Sequence, residues 1–131
     1  PLTVTNGVAT FTGVNHTKAE TLYIRASSGV LTTACSTLVT VGADVPDDSS
    51  STITTNPSTG VVANDTATSD ITVVLIDQYG NPCAGVSVTV ASTGTGNTVT
   101  QPGTTNASGV AVGSIKSTVA EFKTITISSP T

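Results

Sequence analysis

The chain has 131 residues, a formal net charge of −4, 9% charged residues and 3% aromatic residues. Four Lys and Arg against eight Asp and Glu exclude the clustered basic surface with which nucleic-acid-binding proteins neutralise phosphates. The two Cys fit no zinc-ligand spacing, and no cofactor is implied. No run of about 18 apolar residues occurs, so we expect no membrane insertion. The length allows one domain and part of another.

The composition predicts an all-β fold. The chain contains 28 Thr, 18 Val and 15 Ser. Thr and Val are β-branched, and such side chains fit a pleated, half-buried surface better than a helix. Disorder would require low hydrophobicity and high net charge, whereas 37% of the residues are apolar and the charge is low.

Alternating apolar and polar residues predict short strands at the spacing of a β-sandwich. In chain order we expect strands at 8–14, 21–26, 31–41, 71–77, 86–90, 109–115 and 123–128, with a weak strand and loops over 91–105. The run at 71–77 is apolar, so we expect a fully buried strand there. At 86–90 the three Val residues should share one face.

An acidic segment, residues 42–50, separates two strand-rich regions, 1–41 and 51–131. It contains Pro46 and small residues, which is typical of a domain linker. Its carboxylates at Asp44, Asp47 and Asp48 offer oxygen ligands for Ca²⁺, and a solvated linker is the alternative interpretation.

The chain contains an internal repeat. Thr17-Lys18-Ala19-Glu20 aligns with Thr118-Val119-Ala120-Glu121 at an offset of 101, and 7–9 aligns with 109–111 at an offset of 102. This is the length of one immunoglobulin-like domain. We therefore expect residues 1–41 to be the last three strands of one domain, and 51–131 to be a domain without its final strand. The missing strand is the equivalent of 31–41, so its place should be open to a neighbouring chain or to a continuation of this chain.

A turn motif carries a family resemblance. Gly80 and Gly85 tolerate positive φ and Pro82 fixes its own, which predicts a tight, ordered turn from Asp77 through Asn81 to Gly85. This motif, followed by 105–111 with Gly109, resembles the bacterial immunoglobulin-like domain of the invasin and intimin type (group 1). Residues 5–11 resemble the later half of the same pattern. The resemblance implies tandem β-sandwiches that form rods at a cell surface, and a structural role for the turn residues.

Cys35 and Cys83 are disulfide candidates. On the sandwich that the resemblance implies, Cys83 follows the turn at the pole where the chain enters, and Cys35 lies early in the last strand near the same pole. They belong to different copies of the repeat, so we expect Cys83 to pair with an equivalent of Cys35 in another domain or chain. The alternatives are a bond between the two within this chain, or two free thiols.

No catalytic constellation is present, because a Ser or Thr nucleophile needs a base and His16 is the only imidazole. We expect a non-catalytic, extracellular structural module of a cell-surface stalk or filament, with copies of itself or neighbouring immunoglobulin-like domains as partners. The alternative is an adhesion module that binds a host receptor or a glycan through loops at one pole, with 91–105 as the candidate loop.

Overall fold

The computed structural model describes residues 5–29 and 32–130. Within these ranges the regular secondary structure consists of β-strands, which confirms the predicted all-β class. Backbone contacts divide the chain into two compact units, Pro1–Gly42 and Ala43–Thr131.

The first unit contains short antiparallel strand pairs. The strands are β1 (Thr21–Leu22), β2 (Arg25–Ala26), β3 (Ala34–Cys35) and β4 (Val39–Thr40). β1 pairs with β4, and β2 pairs with β3, so the segments 21–26 and 34–40 form an irregular hairpin. Residue 31, where the predicted strand 31–41 begins, lies outside the described residues.

The predicted strand at 8–14 is wrong. A single bridge joins Thr5 to Val8, and 9–14 have no strand structure. Val8, Phe11 and Val14 are 63%, 65% and 75% exposed. Alternating apolar residues form a stable strand only where a neighbouring strand and a core cover their apolar face, and nothing buries these side chains.

The second unit is a sandwich of two antiparallel sheets. One sheet has the order β5-β6-β10-β8 and the other has the order β11-β7-β9. The strands are β5 (Thr52–Asn56), β6 (Ser69–Val74), β7 (Ser87–Ser92), β8 (Asn97–Thr100), β9 (Gly103–Thr104), β10 (Val110–Ser117) and β11 (Ile125–Ser129). β11 pairs with β7, and no strand in the described ranges pairs with its other edge. The all-β architecture of two antiparallel sheets confirms the predicted immunoglobulin-like sandwich, and the absence of a final strand stays a prediction.

Apolar side chains from both sheets form one core. Val88 and Val90 of β7 face inward, as predicted. They lie in one buried cluster with Ile71, Val73, Leu75, Cys83, Ala111 and Ile115. Ile125 and Ile127 of β11 pack against the cluster and are half-buried.

The segment 71–77 is not buried on both faces. Ile71, Val73, Leu75 and Asp77 are buried, while Thr72, Val74 and Ile76 between them are half-buried. The reason is that an antiparallel sheet covers its core face only, and its other face contacts solvent. The apolar residues on that face belong to an outer surface.

Candidate functional site

The Asp77 carboxylate, which lies in the turn after β6, is the centre of a buried hydrogen-bond network in the second unit. Its Oδ1 accepts the main-chain N–H groups of Tyr79 at 2.9 Å and Asn81 at 2.8 Å. Its Oδ2 accepts the Asn81 side-chain amide at 2.8 Å and the N–H of Asp44 at 3.0 Å. An Asp side chain that binds the backbone of the following residues is typical of tight turns, and here it also binds a residue 33 positions earlier.

The Asp77 side chain has no solvent-exposed surface. Burial raises the pKa of this carboxyl, but hydrogen bonds from Asn81, Asp44 and Tyr79 lower it further, so the pKa lies at about 2, below the ordinary 3.8. A carboxylate that accepts several N–H groups is stabilised in its charged form. Asp77 is therefore ionised at neutral pH and has no proton to donate.

The segment before β5 is bound to the same turn. Asp47 donates its N–H to Ile76 O at 2.9 Å, and the Ser51 hydroxyl accepts the Ile76 N–H at 3.1 Å. Gln78 binds the Asp44 carboxylate at 3.3 Å. Most of the predicted linker, from Asp44 onward, thus lies on the second unit in a fixed conformation.

Main-chain bonds and glycines complete the turn. The N–H of Gly80 donates to Asp77 O, and the N–H of Asp77 donates to Asn81 O, each at 3.0 Å. Gly80 and Gly85 have φ of 85° and 76°, which only glycine adopts readily. Pro82 forms a bridge with Ile76, so the chain leaves the turn beside the strand that entered it.

Gly109 and Thr105 join this turn to the distant loop before β10. Gly109 has a φ of 74°, and its O accepts the Leu75 N–H at 2.8 Å. A Cβ on Gly109 would lie against Leu75 O and 3.2 Å from Cys83 N. The buried Thr105 hydroxyl donates to Cys83 O at 2.7 Å and accepts the Val86 N–H at 2.9 Å. The predicted turn residues therefore form one structural site, to which Thr105 and Asp44 also belong.

The cysteines are both free, and they differ in environment. Cys83 is 2% exposed, and its Sγ lies 3.5 Å from Asp44 O, whereas Cys35 is exposed. Burial and the negative charges of Asp77 and Asp44 raise the pKa of the Cys83 thiol, so it is protonated and weakly nucleophilic at neutral pH. The predicted pairing of Cys83 with an equivalent of Cys35 in another domain or chain stays a prediction.

Within 5–29 and 32–130, no group of three or more His, Cys, Asp and Glu side chains is placed to bind a metal ion. Asp44 and Asp47 of the proposed calcium site instead bind Val45 N–H and the Ser49 hydroxyl. No helix in the described part of the chain is long and apolar enough to cross a membrane.

The fold and the turn define an immunoglobulin-like domain of bacterial type. The model of the bacterial Ig-like domain (group 1) family matches residues 49–131, and the chain belongs to this family. Searches of curated proteins and of solved structures found no match. Domains of this family are generally non-catalytic and typically lie at the cell surface, as structural or adhesive modules.

The participation of Asp44 and Thr105 could not have been predicted from spacing. Asp44 reads as a linker residue in the sequence, and only the folded chain brings its N–H to Asp77. Thr105 is one of 28 Thr residues. The one available signal for it is its position as the first residue of the 105–111 segment of the family pattern.

Proposed function

We propose that this chain is a non-catalytic structural module of an extracellular stalk or filament built from immunoglobulin-like domains. The observation that carries the proposal is the set of hydrogen bonds that joins residues 44–51, at the start of the second unit, to Asp77 and Ile76. Tension applied through the preceding chain reaches Asp77 and the end of β6, which lies inside a four-stranded sheet rather than at its edge. A shaft that transmits force needs such a junction.

The charge distribution supports the same role. The ion pair Lys116–Asp65 lies at the surface of the second unit, while Lys123, whose side chain is 14% exposed, pairs with the more exposed Glu121. Surface pairs of this kind contribute about 1 kcal/mol or less and are screened by salt. Core packing and main-chain hydrogen bonds therefore supply most of the stability, so the module keeps its shape when the ionic strength changes outside a cell.

Binding through the candidate loop is the alternative function. Within 91–105, residues 97–100 and 103–104 are strands of different sheets, and Gln101 bonds the N–H and O of Val90 at 2.7 and 3.1 Å. Much of this segment is therefore part of the two sheets and is not a free loop. The exposed turn at 93–96 is the part that could contact a receptor or glycan.

Single-molecule force spectroscopy of the full chain, with handles at its two ends, tests the structural proposal. We expect a discrete unfolding event for the second unit, at a lower force in Asp77→Asn than in the native chain. Asp70→Asn is the matched control, because Asp70 lies exposed on β6 and should leave the force unchanged. Extension without an unfolding event would refute a load-bearing role.

A further inference from the structure

One edge of β11 pairs with β7, and no strand in 5–29 or 32–130 pairs with the other, here called the open edge. On the β7 side of β11, Thr124 O accepts the Thr93 N–H. Val90 of β7 lies opposite Ile127, but its N–H and O bond to Gln101 and not to β11. Successive residues of a strand direct their main-chain groups to opposite edges. The N–H and O groups of Ile125 and Ile127 therefore face the open edge, which can pair with another strand.

The first unit shows how the equivalent edge is paired. With the repeat offset of 101, residues 21–26 correspond to 122–127. In the first unit, Arg25 pairs with Cys35 and Ala26 with Ala34, and the Ser36 N–H donates to Ile24 O at 2.8 Å. Ile24 corresponds to Ile125, whose oxygen faces the open edge of β11. Equivalent residues of 21–26 and 122–127 therefore direct their main-chain groups to the same edge, which is the paired edge in the first unit and the open edge in the second.

We infer that the open edge of β11 accepts residues 34–41 from a second copy of this chain. The hairpin of the first unit fixes the register: Ala34 pairs with Ile127, Cys35 with Thr126, and Val39 with Lys123. The donated segment gives up its pairing with 21–26 of its own chain and pairs instead with 122–127 of the other chain. This inference rests on the proposed structural function and names the partner that extends it.

The apolar surface beside β11 matches the donated segment. A cleft of about 320 Å³ lies between residues 57–63 and 119–125. Val62 on its wall is 60% exposed, and Phe122 is fully exposed. In this register, Val39 of the donor lies opposite Lys123 and Val41 lies opposite Glu121, both of which line the cleft. Residues 34–41 carry no charge, and Lys123 Nζ already binds Glu121 Oε1 at 2.7 Å, so pairing leaves no charge without a partner.

The exchange is favoured by the weakness of the donor hairpin. Its ladders are two residues long, and most of their side chains are exposed. On β11 the same segment would cover Ile125 and Ile127, which are half-buried and contact the core. Exchanging one pairing for an equivalent pairing in the same register, while burying more apolar surface, favours association.

Residues 34–41 cannot reach β11 of their own chain, because the segment from Val41 to Asp44 is too short. Asp44 is bound to Asp77, near the end of the unit where β11 finishes. Val41 would lie at Glu121, at the other end of that edge and more than about 20 Å away at the rise of a strand. The three residues from Val41 to Asp44 span at most about 11 Å. Each copy would therefore donate to one neighbour and accept from another, which builds an open-ended filament.

A cysteine placed opposite Cys35 tests the register. Thr126 is exposed. In the proposed register it faces Cys35 in the same kind of pair that Arg25 and Cys35 form, in which the main-chain groups of the two residues point away from each other. The Cα atoms of such a pair lie close enough for a disulfide. We expect the full-length Thr126→Cys variant, under mild oxidation, to form dimers and longer multimers through Cys35 and the introduced thiol. Peptide mass mapping identifies the bond, and dilution should reduce its yield because it joins different chains.

Ala91→Cys is the matched control. Ala91 lies beside Thr126 on the same face, one strand further from the edge and about 10 Å from the donated strand. We expect about tenfold less of the mapped bond in this variant, and none in Thr126→Cys combined with Cys35→Ser. Equal yields from Thr126→Cys and Ala91→Cys, or a bond confined to single chains, would overturn the inference. The force experiment on single molecules is independent of this result, so the two proposals fail separately.

Discussion

Asp77 Oδ2 and the main-chain nitrogen of Asp44 lie 3.0 Å apart, although 33 residues separate them in the sequence. This bond joins the segment that leads into the second unit to the turn between its two sheets. Because the same carboxylate also binds Tyr79 and Asn81, the turn and the incoming segment are ordered together. A single acidic side chain thus connects the local turn to the first residues of the second unit.

Replacing this carboxylate should destabilise the second unit. Asp77→Asn puts an NH₂ group where an oxygen accepts N–H donors, so at least one buried donor loses its acceptor. We expect the melting temperature, followed by circular dichroism, to fall by more than about 5 °C. Asp70→Asn, on the exposed face of β6, should change it little. Equal melting temperatures for both variants would show that the carboxylate contributes nothing to stability.

The Asp77 pKa predicts a particular dependence on pH. Folding lowers this pKa from 3.8 to about 2, because hydrogen bonds to the charged form outweigh burial. The stability that Asp77 contributes is therefore fully present above about pH 4 and is lost as the pH falls through about 2. We expect the difference in melting temperature between the native chain and Asp77→Asn to be constant from pH 7 to about 5, and to shrink between about pH 4 and 2. A difference that persists unchanged at pH 2 would contradict the assigned pKa.

Strands with a regular pattern were predictable from the sequence, whereas short or polar ones were not. The runs at 86–90 and 109–115 match β7 and β10 because β-branched residues alternate with small or polar ones over several positions. β5 was missed, since Thr52–Asn56 contains a single apolar residue and is stabilised by pairing with β6. The segment at 8–14 has a strand pattern, but among the described residues its one pairing is the bridge between Val8 and Thr5. In both cases tertiary pairing, rather than propensity, decided the outcome.

The turn could be predicted in part. Gly80, Pro82 and Gly85 have local conformational preferences that the sequence reveals, and the structure places them in a tight turn. The contact of Gly109 with Leu75 and Cys83 depends instead on how two loops meet in space. A single sequence contains no record of such a contact beyond the family pattern.

The two thiols should differ in reactivity. Cys35 is exposed, while Cys83 is 2% exposed and has a raised pKa. Since the thiolate is the reactive form, we expect one thiol per chain to react rapidly with an aromatic disulfide reagent in the native state, and two after denaturation. Peptide mapping should place the rapid reaction at Cys35. Rapid labelling of Cys83 in the native chain would show that the Asp77 turn opens readily.

Two glycines with positive φ allow a comparison of backbone strain with steric crowding. Gly85 has a φ of 76° and open space where a Cβ would lie, so Gly85→Ala should cost about 1 kcal/mol through its left-handed conformation alone. Gly109 has nearly the same φ, but its Cβ would press on Leu75 O and contact Cys83 N. The Gly109 loop cannot shift freely, because Gly109 O accepts the Leu75 N–H at 2.8 Å.

We therefore expect Gly109→Ala to cost about 3 kcal/mol or more, the strain of the left-handed conformation plus the cost of overpacking. Urea unfolding of both variants measures the two free energies under the same conditions. Similar losses at the two positions would mean that the loop before β10 moves away from β6 at little cost. The close approach of Gly109 to Leu75 would then not be a fixed part of the turn, because a residue with a side chain could occupy that position.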